Sequence, residues 1–456
     1  MPSPPTRRTL APPKFPAMST APKNTPAPSR RDFLKHSSAL AVGGSIAASF
    51  GSLPTVHAQG SEAINVALIG CGGRGSGAAI NAMKADPNNR LTVMCDLFPD
   101  RMTEARKRLQ TQLDQQFRVT DDTAFTGFDG YKRVMESDAK VVLLCTTPHF
   151  RPLHLKAAID AGKHVFCEKP VAVDAPGVRS VMQTSEEAKK KGLAIVSGLC
   201  WRYDYAVRET VKRIQDGAIG DIIAIQENYL TSTLWQRPRQ PQWSEMEYQI
   251  RNWLYYTWLS GDHNVEQHIH SLDKAMWLMG DTPPVAAYGM GGRQVRTEPD
   301  FGNIYDHHAV VYEWPKVRVF AFTRQMAGQK MFNETDDYIF GTTGQARILQ
   351  NEITGPNAWK YPREQKRNDP SMYDIEHAEL FKSIKDGNPI NNGHYMCLST
   401  MLAILGRMAT YTGQRITWDD ALNSKLDLTP ASYEWGDVKL PPEALAVAMP
   451  GKTTLT

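Results

Sequence analysis

The strongest constraint in this chain of 456 residues is local. An apolar run, Ile64-Asn65-Val66-Ala67-Leu68-Ile69, leads directly into Gly70-Cys71-Gly72-Gly73-Arg74-Gly75, and a helical pattern follows from about Ser76 to Lys84. A short, continuously apolar run suits a strand buried on both faces, as in a parallel sheet. Glycines spaced G-x-G-x-x-G allow a tight turn, let a ligand approach the backbone, and let the following helix pack close to the strand. The turn opens a helix, so its amides and helix dipole favour an anion there, and the ligand implied is the pyrophosphate of a dinucleotide.

The glycine pattern alone is weak, but its surroundings strengthen it. The second strand, Leu91-Thr92-Val93-Met94-Cys95, ends at Asp96, about twenty residues past the glycines, where an acid accepts hydrogen bonds from an adenosine ribose and favours NAD over NADP. Arg101 nearby keeps NADP open. Alternation continues with a helix over 99–115, a strand 140–145, a helix 151–161, a strand 164–167, a helix 174–191 and a strand 193–197. This order predicts a doubly wound parallel α/β sheet, with ligand groups at the carboxyl ends of its strands. Thr146-Thr147-Pro148-His149 and Glu168-Lys169-Pro170 stand at two such ends.

Charge is misleading unless the chain is divided. Residues 1–60 hold seven of the 52 Lys and Arg, one of the 48 acids and ten of the 30 prolines. Removing them turns the formal +4 into −2 for 61–456, so no nucleic-acid partner is expected. Residues 2–28 have a disordered composition. Arg30-Arg31, a mild apolar stretch from Ala39 to Leu53 and Val56-His57-Ala58 then give the order of an export signal. The arginine pair resembles a twin-arginine signal, which implies the twin-arginine export machinery as a partner, cleavage near Ala58 and a periplasmic product. Met18 competes with Met1 as the start. No stable membrane span is expected in the mature protein. The six cysteines contain no C-x-x-C, and Cys71, Cys95, Cys145 and Cys167 sit in or beside predicted strands, which favours buried free thiols.

The stretch Thr146-Thr147-Pro148, His154 and Ala161-Gly162-Lys163-His164-Val165-Phe166-Cys167-Glu168-Lys169-Pro170 resembles the glucose–fructose oxidoreductase / inositol dehydrogenase / rhizopine-catabolism (Gfo/Idh/MocA) family. The resemblance extends through Gly198…Arg202, Gly261…Asp273 and Gly341-Thr342-Thr343-Gly344. It implies an N-terminal Rossmann domain followed by an α/β domain with an open, mostly antiparallel sheet, and often a homo-oligomer. The boundaries expected are a leader over 1–60, the NAD(P)-binding domain over 61–198, a substrate and oligomerisation domain over 199–427 and an extended tail over 428–456. By resemblance, the cofactor residues are Gly70, Gly72, Gly73, Arg74, Gly75, Asp96, Thr146, Thr147, Pro148, His149, His154, Glu168, Lys169 and Arg202.

After Arg202, long alternating strands are expected near 221–232, 284–293, 304–313, 317–325 and 336–340. A segment crowded with Trp235, Arg237, Arg239, Trp243, Tyr248, Arg251, Trp253 and Trp258 lies among them. Flat aromatic faces beside hydrogen-bonding groups suit sugar rings and equally suit an oligomer interface. A helix is expected over 262–279, with His263, Glu266, His270, Asp273 and Trp277 on one face. The family carries Asp-x-x-x-His-x-x-Asp there; this chain has Glu266, His270 and Asp273. The resemblance makes Lys169 and His270 the catalytic pair, Lys169 polarising the reacting oxygen and His270 taking the hydroxyl proton. Glu266 is expected to assist, by orienting the imidazole, touching substrate, or in another role. Lys169, Trp235, Arg251, Trp253, His263, Glu266, His270, Asp273, Asp306 and His307 are the expected substrate residues. Asp306-His307-His308 with His263, Glu266 and His268 raises a metal alternative, but the spacing matches neither His-Glu-x-x-His nor His-x-x-Glu-His, and no metal is expected.

These residues lead to an exported NAD(P)-dependent oxidoreductase, its nucleotide tightly bound, acting on a sugar, glycoside or cyclitol. A glycoside hydrolase or lyase using transient sugar oxidation is the alternative, and a non-catalytic carbohydrate-binding protein on the same fold is the second.

Overall fold

The computed structural model describes residues 63–454; the leader, its arginine pair and the cleavage site lie outside the described residues. The first sheet is built from β1 (Asn65–Ile69), β2 (Arg90–Asp96), β3 (Ala124–Thr126), β4 (Val141–Leu144), β5 (His164–Cys167) and β6 (Ile195–Ser197). All pairings are parallel, in the order β3-β2-β1-β4-β5-β6. Helices α1 (Gly73–Ala85), α2 (Pro99–Leu113), α3 (Gly130–Met135), α4 (Arg151–Asp160) and α5 (Ala175–Lys190) make the crossovers. The order reverses between β1 and β4, and the crevice at that switch point is where such a sheet receives a ligand. β1 and β4 are buried along almost their whole length, which is why they read as unbroken apolar runs.

Helix α6 (Tyr205–Gln215) leads into the second sheet, whose long strands are β7 (Ile222–Thr231), β8 (Ala286–Gly292), β9 (His307–Glu313), β10 (Arg318–Gln325) and β11 (Glu334–Gly341). Short strands β12 (Gln345–Arg347), β13 (Glu352–Thr354), β14 (Trp359–Lys360) and β15 (Ile416–Thr417) extend its edges. The order is β14-β13-β12-β11-β7-β10-β9-β8-β15, antiparallel except for the β7–β10 pair. One face packs on helices. On the other, Tyr288, Val311 and Phe320 stand in one cross-strand row, with Met290, Ala309 and Phe322 in the next. Met290 is 74% exposed, and Tyr288, Phe320 and Phe322 are also exposed.

The helix expected over 262–279 is two helices. After α7 (Glu245–Arg251) come α8 (His263–Glu266) and α9 (Ile269–Leu278), with a break at Gln267-His268. Asp262, at φ +79°, caps α8. Beyond them, α10 (Met372–Lys385) and α11 (Gly393–Thr412) return to pack against elements of the first sheet. Asn81 of α1 bonds Asp374 of α10, and Ile195 of β6 bonds Ile390. α11 is buried almost all round, so it lacks the one-sided apolar stripe that marks a surface helix. From 428 on, the chain is largely irregular, with one short helix at Pro442–Leu445, but it packs down: Leu428 and Val438 are buried, and Trp435 stacks on Phe98 at 5.9 Å. All six cysteines are free thiols. Among the described residues no helix is long and apolar enough to cross a membrane.

Candidate functional site

The glycine turn has a division of labour that added side chains would break. Gly70 sits at φ +93°, where a Cβ would stand 2.6 Å from the Cys145 backbone. A Cβ on Gly75 would lie 1.8 Å from the Gly70 carbonyl, so this glycine lets α1 close onto β1. Gly72 and Gly73 differ. A Cβ on Gly72 would meet only Arg101 Nη1, at 3.7 Å, and one on Gly73 would meet nothing within 4 Å. Their Cα surfaces face open space, the opening a pyrophosphate needs at a helix N-terminus. Asp96 closes the turn: its Oδ2 accepts from Cys71 N–H at 2.7 Å and its Oδ1 from Phe98 N–H at 2.9 Å. Burial pushes its carboxyl up, against those two amides. Each oxygen keeps a lone pair for a ribose hydroxyl. The cradle fits a dinucleotide.

Two strand-end loops meet beside it. Arg151, buried at the start of α4, donates to the Thr146 carbonyl at 2.6 Å and the Pro170 carbonyl at 2.5 Å, tying the loop after β4 to the one after β5. Glu168 receives Arg74 Nε at 2.5 Å, and Arg74 also donates to Glu376 at 3.1 Å. Burial would raise the Glu168 carboxyl, but Arg74, Arg151 and Lys169 outweigh it and hold it below the usual range. A Cβ on Gly198 would lie 2.7 Å from this carboxylate, so that glycine makes room for it. Lys169 precedes Pro170 across a cis bond.

Lys169 reaches across to α8. Its Nζ donates to Glu266 Oε1 at 2.8 Å and also to the Glu266 carbonyl. His270, on α9, shares the cavity, but its Nδ1 has no partner among the described residues. Burial, then the Lys169 and Lys274 charges, lower the His270 pKa well below 6.5, so the imidazole is neutral at neutral pH. Trp235 and Trp253, with ring centroids 6.0 Å apart, line the same space. The whole cavity measures about 530 Å³ and runs from Gly70–Gly75 and Asp96, past Thr146 and Thr147, to Lys169, Glu266 and His270.

Other expected residues stand elsewhere. Arg202 and Asp273 bind each other, Nε to Oδ1 at 2.9 Å and to Oδ2 at 3.1 Å, and Arg202 also holds Asp281. Neither lines the cavity: the pair joins the start of α6 to α9. Arg251 is taken by Asp100 and Glu247. Asp306 uses one oxygen on His307 and the other on the amides of 294–296, which caps a loop rather than a substrate. The break between α8 and α9 takes His263 off the His270 face and buries it against Asp262. Asp262, His263 and His308 each offer a possible ligand atom within 4.8 Å of the others. Asp262, however, is already the acceptor for Tyr411 OH at 2.6 Å, Tyr305 N–H at 3.0 Å and His308 at 3.2 Å, a hydrogen-bonded hub outside the cavity lining. His149 pairs with Tyr433 at 2.8 Å, while His154 lines a small side cavity with Thr146 and Phe150. Pro148 is buried beside the cavity without lining it.

Sequence reasoning missed Arg151, Tyr373, Cys200 and Ile250 as cavity or loop-tying residues. Arg151 had one available signal, its place at the first turn of the helix after the Thr-Thr-Pro loop. Tyr373 comes from α10, some 300 residues from the glycine turn, and carries none.

The fold and cavity define an α/β protein in which a Rossmann-like, dinucleotide-binding parallel sheet is followed by a mixed, mostly antiparallel sheet. Residues 64–197 match the profile of the Gfo/Idh/MocA family, an oxidoreductase family with an NAD-binding Rossmann fold. The 2,7-anhydro-N-acetylneuraminate hydratase of Escherichia coli is 27% identical over 219 residues, 47% of this chain and 52% of that protein. The inositol 2-dehydrogenase/D-chiro-inositol 3-dehydrogenase of Lactiplantibacillus plantarum is 26% identical over 217 residues, again 47% and 52%. The chain thus spans about half the length of the curated relatives it matches. Among solved structures, the WlbA dehydrogenase of Bordetella pertussis, in complex with NADH and UDP-GlcNAcA, aligns with a TM-score of 0.61 at 19% identity, over 78% of this chain and 98% of that one, a likeness of fold.

Proposed function

We propose that this protein is an NAD(P)-dependent oxidoreductase that oxidises a hydroxyl of a sugar, glycoside or cyclitol. The observation that carries the reading is one cavity joining the glycine cradle to Lys169 and the neutral His270. A nicotinamide bound there supplies the acceptor for the hydrogen leaving carbon. The Lys169 ammonium, aimed by Glu266, polarises the reacting C–O group, and His270 takes the hydroxyl proton. Trp235 and Trp253 offer flat faces to a ring. The leader composition supports export by the twin-arginine route to the periplasm. Free nucleotide is scarce there, so the cofactor is held tightly and recycled within each turnover. The apolar outer face of the second sheet supports pairing with a second copy.

A second reading uses the same residues without net oxidation: transient oxidation assists elimination or hydrolysis and the hydrogen is returned. The hydratase among the relatives favours it. One experiment separates the two. Protein purified from the export host is denatured and the released nucleotide identified; sugars and cyclitols are then screened for absorbance at 340 nm and for product release. Bound nucleotide with net reduction supports the first reading, and product release without reduction the second. Absence of bound nucleotide and of nucleotide affinity defeats both and leaves a carbohydrate-binding protein. Lys169→Ala and His270→Ala should abolish turnover while nucleotide stays bound; turnover retained in either refutes that residue's role.

A further inference from the structure

Three guanidinium groups lie near one another at or beside the Asp96 end of the cavity, and two of them make no ion pair among the described residues. Arg251 is paired with Asp100 at 2.9 and 3.1 Å and with Glu247 at 2.8 Å. Arg101, on α2, lines the cavity with its Nη1 near Gly72, and Arg237, between β7 and α7, lines the same cavity. Neither is within ion-pair distance of a carboxylate among the described residues; Arg101 lies over the Phe98 ring and Arg237 over the Trp235 ring. Their mutual influence is felt: burial lowers the Arg101 pKa, Asp96 opposes it, and the charges of Arg237 and Arg251 lower it further.

Arg237 is exposed, but its backbone is held. The Tyr255 hydroxyl bonds the Leu234 and Trp235 carbonyls, each at 3.1 Å. The Arg237 N–H donates to Asn252 Oδ1 at 3.0 Å, and buried Asn252 is itself anchored to the Asp300 carbonyl at 2.7 Å. A pinned backbone thus holds an unpaired cation on the wall of the cavity that contains the glycine cradle, close enough to Arg101 for the two charges to repel. Two like charges sharing one cavity repel each other until an anion comes between them.

We infer that Arg101 and Arg237 form a phosphate-binding pair, one arginine from each domain, that closes over the bound dinucleotide. The inference rests on the reading that a dinucleotide occupies this cavity. Its phosphate has two possible sources with one chemistry: the pyrophosphate at the start of α1, or a 2′-phosphate beside Asp96. In either case the second domain grips the nucleotide as well as the substrate, which slows the nucleotide's escape.

The test measures affinity and dissociation rate for NAD⁺ and NADP⁺ with the full-length protein and its Arg237→Ala, Arg101→Ala and Arg239→Ala variants, each checked for an unchanged melting temperature. Loss of a charge-assisted hydrogen bond should weaken binding and speed release about 10- to 100-fold in Arg237→Ala. Arg237→Lys should recover part of the loss. Arg239, on the same segment but bonded to Glu245, should change affinity less than about twofold when replaced, since exposed ion pairs contribute little. Equal weakening for both nucleotides assigns the pair to the pyrophosphate; weakening confined to NADP⁺ assigns it to the 2′-phosphate. Unchanged affinity for both in Arg237→Ala overturns the pair while the cofactor reading stands. An unsubstituted protein that binds neither nucleotide defeats that reading and the pair with it.

Discussion

Lys169 Nζ and Glu266 Oε1 lie 2.8 Å apart, and the carboxylate at this position serves the lysine rather than the histidine four residues on. His270 receives no bond from Glu266 among the described residues, and its Nδ1 is unpartnered. The extra methylene of Glu over Asp is what lets the side chain reach over from α8 to the loop after β5. Glu266→Gln keeps the shape but removes the charge. It should lower kcat/KM about 10- to 100-fold, the effect of losing a charge-assisted bond that aims the ammonium, without loss of nucleotide. Glu266→Asp should cost a similar factor through lost reach. Steady-state kinetics beside a nucleotide assay reads both.

The four glycines of the turn should separate binding from folding. Gly72→Ala places its methyl in the opening over the cradle, near only Arg101 Nη1 at 3.7 Å, so the fold should persist while nucleotide affinity falls. Gly75→Ala drives a methyl to 1.8 Å from the Gly70 carbonyl and should lower stability by about 1–3 kcal/mol or more, as overpacking does. Thermal melting and nucleotide titration of the two variants should move in opposite proportion.

Much of this was legible in the chain because local and tertiary demands agree there. β1, β4 and β5 are apolar, bounded by special turns and buried, and the glycine turn and Glu168-Lys169-Pro170 fall at their carboxyl ends as a parallel sheet requires. The substrate half was harder. His263 keeps helical spacing with His270, and no Gly or Pro marks the break at Gln267-His268; the break coincides with a tertiary contact, Gln267 Oε1 accepting from Gln325 Nε2 of β10 at 2.7 Å. Arg202 and Asp273, 71 residues apart, each look like a site residue until the fold brings them together. α11 gave no periodic signal because it is surrounded by core.

Burial holds six histidines neutral, His149, His154, His263 and His377 among them, and acid should unfold the protein through them. Burial, the largest cause for each, lowers the pKa to about 4 for His149 and His263 and to about 3 for His154 and His377. The unfolded chain protonates near 6.5 and therefore binds more protons than the folded one below that pH. Stability is accordingly full above about pH 6.5 and lost as pH falls toward 4, by about 1.4 kcal/mol per pH unit for each histidine. Four such groups match a total stability of about 5–15 kcal/mol within two or three units. Melting temperature should be nearly flat from pH 7 to 8 and fall steeply between 6.5 and 4; a flat profile down to pH 4.5 would contradict the burial of these rings as neutral groups.

The Arg202–Asp273 pair should behave as structure and not as cofactor or substrate contact. Asp273 is buried, holding Arg202 with both oxygens and Ser399 Oγ at 2.8 Å. Arg202→Ala leaves that carboxylate buried with a hydroxyl as its remaining bond and should lower the unfolding free energy by about 3–5 kcal/mol. Asp273→Ala should cost less, because Arg202 keeps Asp281 at 2.6 Å. Arg202→Met combined with Asp273→Asn removes both charges together and should recover much of the loss, since the damage comes from a stranded charge and not from the absence of an ion pair. Denaturant titration of the unsubstituted protein and these three variants reads the losses and the recovery. A weakened nucleotide affinity in Arg202→Met/Asp273→Asn, with stability unchanged, would instead place Arg202 in the binding site.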